Sequence, residues 1–405
     1  MRDVLHELWT TYQAADHPPG PVHDWQARAR STLDDLARSP KAHVTEYGDL
    51  YALPYVAGQY PDSMVQIALV SAIEAYARAR GQSEPLAAAL RPGIERFYDP
   101  EVGALRRYLP SVGEEKDYHA VDSWYLYHPM MHLARLAALG DDGARGLLLK
   151  IADYGVRAAR HFSYAWPVFY DIRDFSVIRQ QEDDDRPGET DTGGLYAYAM
   201  LQLHELTGEP RYLAEARAAL EAADGHGLEL MYQANLTAWG AAACLRLWRI
   251  SGERAWLDRA HYWLANLLVH CRLVESRAGF AVHYPTVMAV PCMYNSTYAA
   301  PFEDLDCFEA FGECLVLGGE DLDPAAAGLL RAFRRHALER GGFFYPDQLP
   351  AEIIARAQES GEIDRALSFP LEDLYPNGEA PGRIGQEIYG CGLALAYATQ
   401  AGETG

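Results

Sequence analysis

Lysine is nearly absent from this chain: Lys41, Lys116 and Lys150 are the only ones in 405 residues, so almost all positive charge is arginine. Arginine stays protonated and forms no Schiff base, which argues against lysine-based covalent chemistry. Positive charge of any kind is scarce, with 35 Lys plus Arg against 57 Asp plus Glu and a net charge of −22. Such a surface repels phosphate backbones and anionic lipid, so neither nucleic acid nor membrane is expected as a partner. Long apolar runs are missing too; none approaches the roughly 20 residues that cross a bilayer. The opening segment Met1 to Trp9 lacks the apolar core of a signal peptide, and a cytoplasmic location is expected.

The six cysteines, Cys244, Cys271, Cys292, Cys307, Cys314 and Cys391, form no CxxC pair. They are expected to be reduced core thiols, and a zinc site from Cys292, Cys307 and a distant His lacks the spacing. Serine nucleophile elbows, P-loops and Gly-x-Gly-x-x-Gly fingerprints are absent, and no cofactor is expected. Gly/Ser-rich linkers are absent as well, so residues 1–405 are expected to form a single domain.

What is present is a repeated joint. Leu206-Thr-Gly-Glu-Pro-Arg-Tyr-Leu-Ala-Glu-Ala216 returns 44 residues later as Ile250-Ser-Gly-Glu-Arg-Ala-Trp-Leu-Asp-Arg-Ala260. Each reads as a helix stopped by a left-handed glycine, a short turn, and a second helix folding back. The same joint recurs at Gly81, Gly140, Gly319 and Gly402. Before the joints lie helices apolar nearly all round, over 63–80, 122–139, 193–207, 236–251, 303–318 and 386–401. After them come amphipathic helices over 83–97, 142–162, 210–223, 253–271 and 323–340. The missing sixth outer helix is supplied by Trp25 to Leu36, closing the ring against the last inner helix. The expected fold is all-α, an (α/α)6 toroid of inner and outer rings. Connections over 98–121, 163–192, 272–302 and 341–385 are long and fall on one face, where a cleft is expected.

Thr192 to Leu213 and Asn235 to Trp248 resemble hairpins of the six-hairpin glycosidase superfamily, over about residues 24–402. The resemblance reports the hairpin and no single family's catalytic signature. It implies one of that superfamily's activities: inverting glycoside hydrolysis, unsaturated glucuronyl hydrolysis, polysaccharide lysis or sugar epimerisation. The substrate expected is a small carbohydrate.

Two acidic clusters precede inner helices. Asp191 sits as an N-cap before Thr192, where the helix terminus favours its ionised form, as a general base requires. Glu303, Asp304 and Asp306 crowd the start of the fifth inner helix, and like charges push one pKa up, which suits a general acid. An inverting glycosidase needs such a pair roughly 6.5–9.5 Å apart. Asp191 is therefore read as base and Glu303 as acid, with Asp304 and Asp122 orienting or substituting. The competing reading makes each of these acids a cap alone. Asp183, Asp184 and Asp185 read as a solvated loop, with calcium the alternative.

Aromatic and imidazole side chains gather in the long loops and helix mouths. Trp124, His128, Trp166, Tyr170, Tyr196, His283, Tyr284 and Tyr294 are the candidates for sugar contact, because a flat apolar face with a polar tip fits a pyranose. About half of the aromatics are expected instead to plug the core. His283 with Tyr284 or Tyr294 offers proton abstraction beside a uronate carboxylate, clamped by Arg173, Arg179 or Arg186. A non-catalytic sugar-binding toroid and a terpenoid cyclase complete the alternatives; the latter lacks an Asp-x-Asp-Asp motif, since the runs are Glu182-Asp-Asp-Asp185 and Glu303-Asp-Leu-Asp306.

Overall fold

The computed structural model describes residues 1–17, 20–181, 188–274, 279–374 and 378–400. Its helices are α1 (Arg2–Ala14), α2 (Trp25–Arg38), α3 (Ser63–Ala79), α4 (Pro85–Leu90), α5 (Ser123–Ala138), α6 (Asp142–His161) and α7 (Thr192–Thr207), then α8 (Pro210–Ala222), α9 (Ala234–Ser251), α10 (Arg254–Leu268), α11 (Pro301–Gly318), α12 (Pro324–Arg340) and α13 (Gly392–Gln400). Helices α3, α5, α7, α9 and α11 are buried nearly all round, as their apolar sequences require. Helices α6, α8, α10 and α12 bury one face each, the amphipathic partners expected after each joint.

The repeated motif has a concrete geometry. Gly208 (φ 73°) and Gly252 (φ 71°) end α7 and α9 in the left-handed region, their amides donating to His204 and Trp248 carbonyls at 2.8 Å. A side chain there would be strained. Thr207 Oγ1 and Ser251 Oγ each accept from the glutamate amide two residues on, at 3.2 Å in both cases. The two copies of the motif are thus the same hydrogen-bonded turn. Gly402 lies outside the described residues.

Contacts gather the chain into two compact units, Met1–Thr32 with Gly225–Gly405, and Leu33–Asp224. In the second, α5 packs between α3 and α7, backed by α6, and α8 backs α7. In the first, α9 packs against α10 and α11, and α11 against α12 and α13. The start of α2 meets α13 there: Trp25 lies edge-on to Tyr397 at 4.9 Å, and Gln26 Nε2 donates to the Ala398 carbonyl at 2.5 Å.

Three elements differ from the sequence expectation. Helix α1 was given no role, yet it packs on α10 and α12, with Tyr12 Oη 2.9 Å from His336 Nε2. The amphipathic helix expected over 83–97 is α-helical only to Leu90 and continues as a 3-10 turn, Arg91–Phe97, because Pro92 lacks the amide an α-helix needs. The last apolar helix begins with a 3-10 turn, Tyr389–Cys391, before α13.

Close packing of α9 on α10 depends on Gly240, whose missing side chain is replaced by the Trp263 indole. Gly240→Ala is expected to lower stability by about 1–3 kcal/mol, the range for overpacking a tight core, read by chemical denaturation. No change would mean that the two helices yield freely. All six cysteines are free and buried. Among the described residues, no helix is long and apolar enough to cross a membrane, and no group of three or more His, Cys, Asp or Glu is placed to hold a metal ion.

Candidate active site

Each all-round-buried helix opens on a buried acid or amide. Asp62, Asp122, Asp191 and Gln233 are the N-cap residues of α3, α5, α7 and α9. Glu303 stands in the first turn of α11, and Glu387 lies two residues before the turn into α13. All six are buried. A helix start places backbone amides and the positive end of the macrodipole beside these side chains, which is why the sequence tolerates buried polar groups there.

In the unit Met1–Thr32 with Gly225–Gly405, three of these mouths contribute to one acidic cluster. Gln233 Nε2 donates to Glu303 Oε1 at 3.0 Å, while Glu303 Oε2 has no partner among the described residues. Burial raises the Glu303 pKa from 4.5 to about 7; Asp306 adds to the rise, and the bond from Gln233 only partly offsets it. Glu387 is fully buried and pushed well above the ordinary carboxylate value by burial first, then by the charges of Glu372 and Glu303. Burial also raises Tyr298, with Cys292 and Glu372 as further causes, so the wall beside the cluster keeps its protons. Protonated glutamates near neutrality are what proton donation to a leaving group requires.

Neighbouring acids serve elsewhere. Asp304, expected to orient or substitute in catalysis, is bonded to the Arg340 guanidinium and accepts from Tyr397 Oη at 2.8 Å, all three residues being buried. Its oxygens are committed to that pair, because an unpaired arginine at this depth would be costly. Asp306 accepts from Asn235 Nδ2 at 3.0 Å. Asp373 accepts from the amides of Gly382 and Arg383 and is nevertheless raised to about 7 by burial.

Leu33–Asp224 holds the other constellation. Asp62 and Asp122 accept from the Val65 and Tyr125 amides at 2.8 Å, as N-caps do. The Asp62–Tyr108 bridge and the Ser63 amide, which donates to the Arg107 carbonyl at 2.9 Å, bring Arg107 to these mouths. Its guanidinium lies 3.6 Å from the Tyr125 ring centroid and 4.0 Å from Asp122 Oδ2. Burial raises Asp62 to about 6, with Arg107 opposing, and raises Asp122 likewise.

The remaining candidates are placed as follows. Asp191 is fully buried at the mouth of α7, two residues from buried Glu189, and belongs to a different unit from Glu303. Trp124 keeps a small exposed edge and meets Tyr125 and His128 edge-on at 4.8 and 4.9 Å; His128 is fully buried. Trp166, Tyr170 and Tyr196 are core residues. Trp166 Nε1 donates to Tyr127 Oη at 3.1 Å, and Tyr196 Oη to Glu215 at 2.7 Å. His283 is exposed, whereas Tyr284 is buried against Phe343, so the adjacent pair does not present one joint face. Tyr294 is half-buried against Tyr232. Arg173 is paired with Asp171 at 2.6 Å. The Asp183–Asp185 run and Arg186 lie outside the described residues.

The sequence reading missed Asp62, Arg107, Gln233 and Glu387. One signal would have found Asp62 and Gln233: each is the polar residue just before an apolar helix, the rule already applied to Asp191, whereas Glu387 lies inside the apolar stretch 386–401. Arg107 carries no local signal, since only the strand-like pairing with Asp62 delivers it.

The raised acids set a stability profile. An acid whose folded pKa exceeds its unfolded value holds a proton that the unfolded chain releases, so its contribution is full below the unfolded pKa and is lost as pH rises toward the folded one. For Glu303 that window runs from 4.5 to about 7. Stability is expected to fall across it, and Glu303→Gln to remove about 3 kcal/mol of that fall. Denaturation at pH values spanning the window checks this; parallel profiles for the two proteins would contradict it.

No protein-family model matches the chain, and no curated protein matches its sequence. Solved structures do. A family 76 glycoside hydrolase from a bovine Bacteroides thetaiotaomicron strain is similar with TM-score 0.59 at 12% identity, over 95% of this chain and 78% of its own. Cellobiose 2-epimerase from Spirochaeta thermophila gives 0.59 at 11%, over 94% and 99%. A D-mannose isomerase gives 0.56 at 10%, over 93% and 97%. The fold is therefore the (α/α)6 toroid, shared with these solved structures, with no single family matched.

Proposed function

We propose that this protein is a carbohydrate-active enzyme, a glycoside hydrolase of the inverting kind acting on oligosaccharide or glycan fragments. The observation that carries the reading is Glu303: a carboxyl at the mouth of a buried helix, one oxygen unpartnered among the described residues, with a pKa of about 7 beside a second buried glutamate. Such a group keeps a large share of its protons near neutrality and can give one to a glycosidic oxygen. Glu387 is raised further by the Glu303 charge, so the cluster holds protons in common. In the inverting mechanism the base takes a proton from water as the oxygen attacks the anomeric carbon, and the acid protonates the departing sugar oxygen.

The fold supports carbohydrate as the substrate class, because the glycoside hydrolase, the epimerase and the isomerase that share it all act on sugars by their names. A second reading, sugar epimerisation or isomerisation, is favoured by the equal TM-scores of the hydrolase and the epimerase, 0.59 in both cases. Incubation with a panel of neutral and uronate-bearing oligosaccharides, followed by mass spectrometry, separates the two. Products that gain one water per broken bond are expected. Equal-mass isomers would give the epimerase; absorbance from an unsaturated uronate without added water would give a lyase; binding without any product would give a sugar-binding toroid.

A further inference from the structure

Arg107 presents an unusual combination. Its guanidinium is stacked on Tyr125 at 3.6 Å, with the Tyr108 ring at 4.9 Å, and Nε is buried without a hydrogen-bond partner among the described residues. The Asp122 carboxylate, at 4.0 Å, attracts it by charge yet stands beyond hydrogen-bond range. A guanidinium has five N–H donors in one plane, and burying even one of them without an acceptor is costly. Two aspartates accompany this one cation, so with both ionised the constellation carries an excess negative charge.

A ligand that completes it must offer oxygen acceptors to Arg107 and hydroxyl donors to Asp62 and Asp122, and must bring no negative charge of its own. An uncharged pyranose with neighbouring hydroxyls meets all three conditions, and the small exposed edge of Trp124 beside Tyr125 adds an apolar contact. We propose that Asp62, Arg107 and Asp122 form a sugar-hydroxyl subsite that selects neutral glycans over uronates. The inference rests on the reading of the protein as carbohydrate-active and names the class of sugar that it takes. Arg107 is a specificity-determining residue, and proton transfer is assigned elsewhere.

The test compares binding of neutral methyl glycosides and oligosaccharides with binding of the corresponding methyl glucuronide. Ligand-observed NMR and calorimetry would be run on the full chain and on Arg107→Met, Arg107→Lys and Asp122→Asn, with thermal melting as the check on folding. The wild type is expected to bind the neutral sugars more tightly than the uronide. Arg107→Met should weaken neutral sugars by about tenfold or more, the scale for lost bonds to a charged donor, with Arg107→Lys in between. Asp122→Asn, which keeps an N-capping oxygen, should narrow the gap between neutral sugar and uronide. Wild-type affinity in folded Arg107→Met, or tighter binding of the uronide, would overturn the subsite. If neutral glycans are hydrolysed with KM unchanged in that variant, the subsite falls and the hydrolase stands. If neither binding nor turnover is found for any sugar, the hydrolase reading falls with it.

Discussion

Glu303→Gln is expected to lower turnover of an oligosaccharide by about 10²–10⁴-fold, the range for removing a positioned general acid, while leaving substrate binding nearly intact. The amide keeps the side chain's shape and its contact with Gln233, but it has no acidic proton. The loss should depend on the leaving group. An aryl glycoside whose phenolate departs without protonation needs little help from an acid, so the variant should approach wild-type rates on it. Glu387→Gln should cost less, because Glu387 is not among the groups that raise Glu303. Steady-state kinetics on matched substrates read these differences; an equal loss on both from Glu303→Gln would remove it as the acid.

The largest effect on stability is expected at Arg340. This residue is buried, bonded to Asp304, 4.6 Å from the Phe333 ring, and its Nη1 reaches the Val287 carbonyl at 3.4 Å. Arg340→Met leaves the Asp304 carboxylate at depth with Tyr397 as its side-chain partner among the described residues. Breaking a buried pair from one side costs about 3–5 kcal/mol, whereas replacing both members by apolar groups is often close to neutral. The double variant Arg340→Met/Asp304→Leu is therefore expected to be more stable than Arg340→Met alone, as read by urea denaturation. Additive losses would show that the two residues are not coupled.

The helical framework was legible because it rests on local signals. An apolar run without a polar face, a glycine followed by Glu-Pro or Glu-Arg, and an amphipathic return helix together specify a hairpin without reference to the rest of the chain. Where the reading went astray, a local detail or a distant contact decided the outcome. Pro92 turned the expected helix into a 3-10 segment, and α1 is held by contacts to α10 and α12 that its own sequence does not announce. The site was legible in part. Glu303 was found from crowding among acids, although burial proved the larger cause of its shifted pKa. Asp304, one residue along, points to Arg340, a partner that spacing cannot reveal. Trp166, Tyr170 and Tyr196 show the same limit: an aromatic in a long loop or at a helix mouth reads alike in sequence whether it meets sugar or fills the core.

The pH dependence of kcat/KM on an oligosaccharide tests the central claim most directly. If a buried, protonated Glu303 delivers the proton, kcat/KM falls as pH rises through about 7, and that alkaline limb disappears in Glu303→Gln and on substrates whose leaving group needs no proton. A wild-type profile flat through this range, or an alkaline limb that persists in Glu303→Gln, would contradict the account.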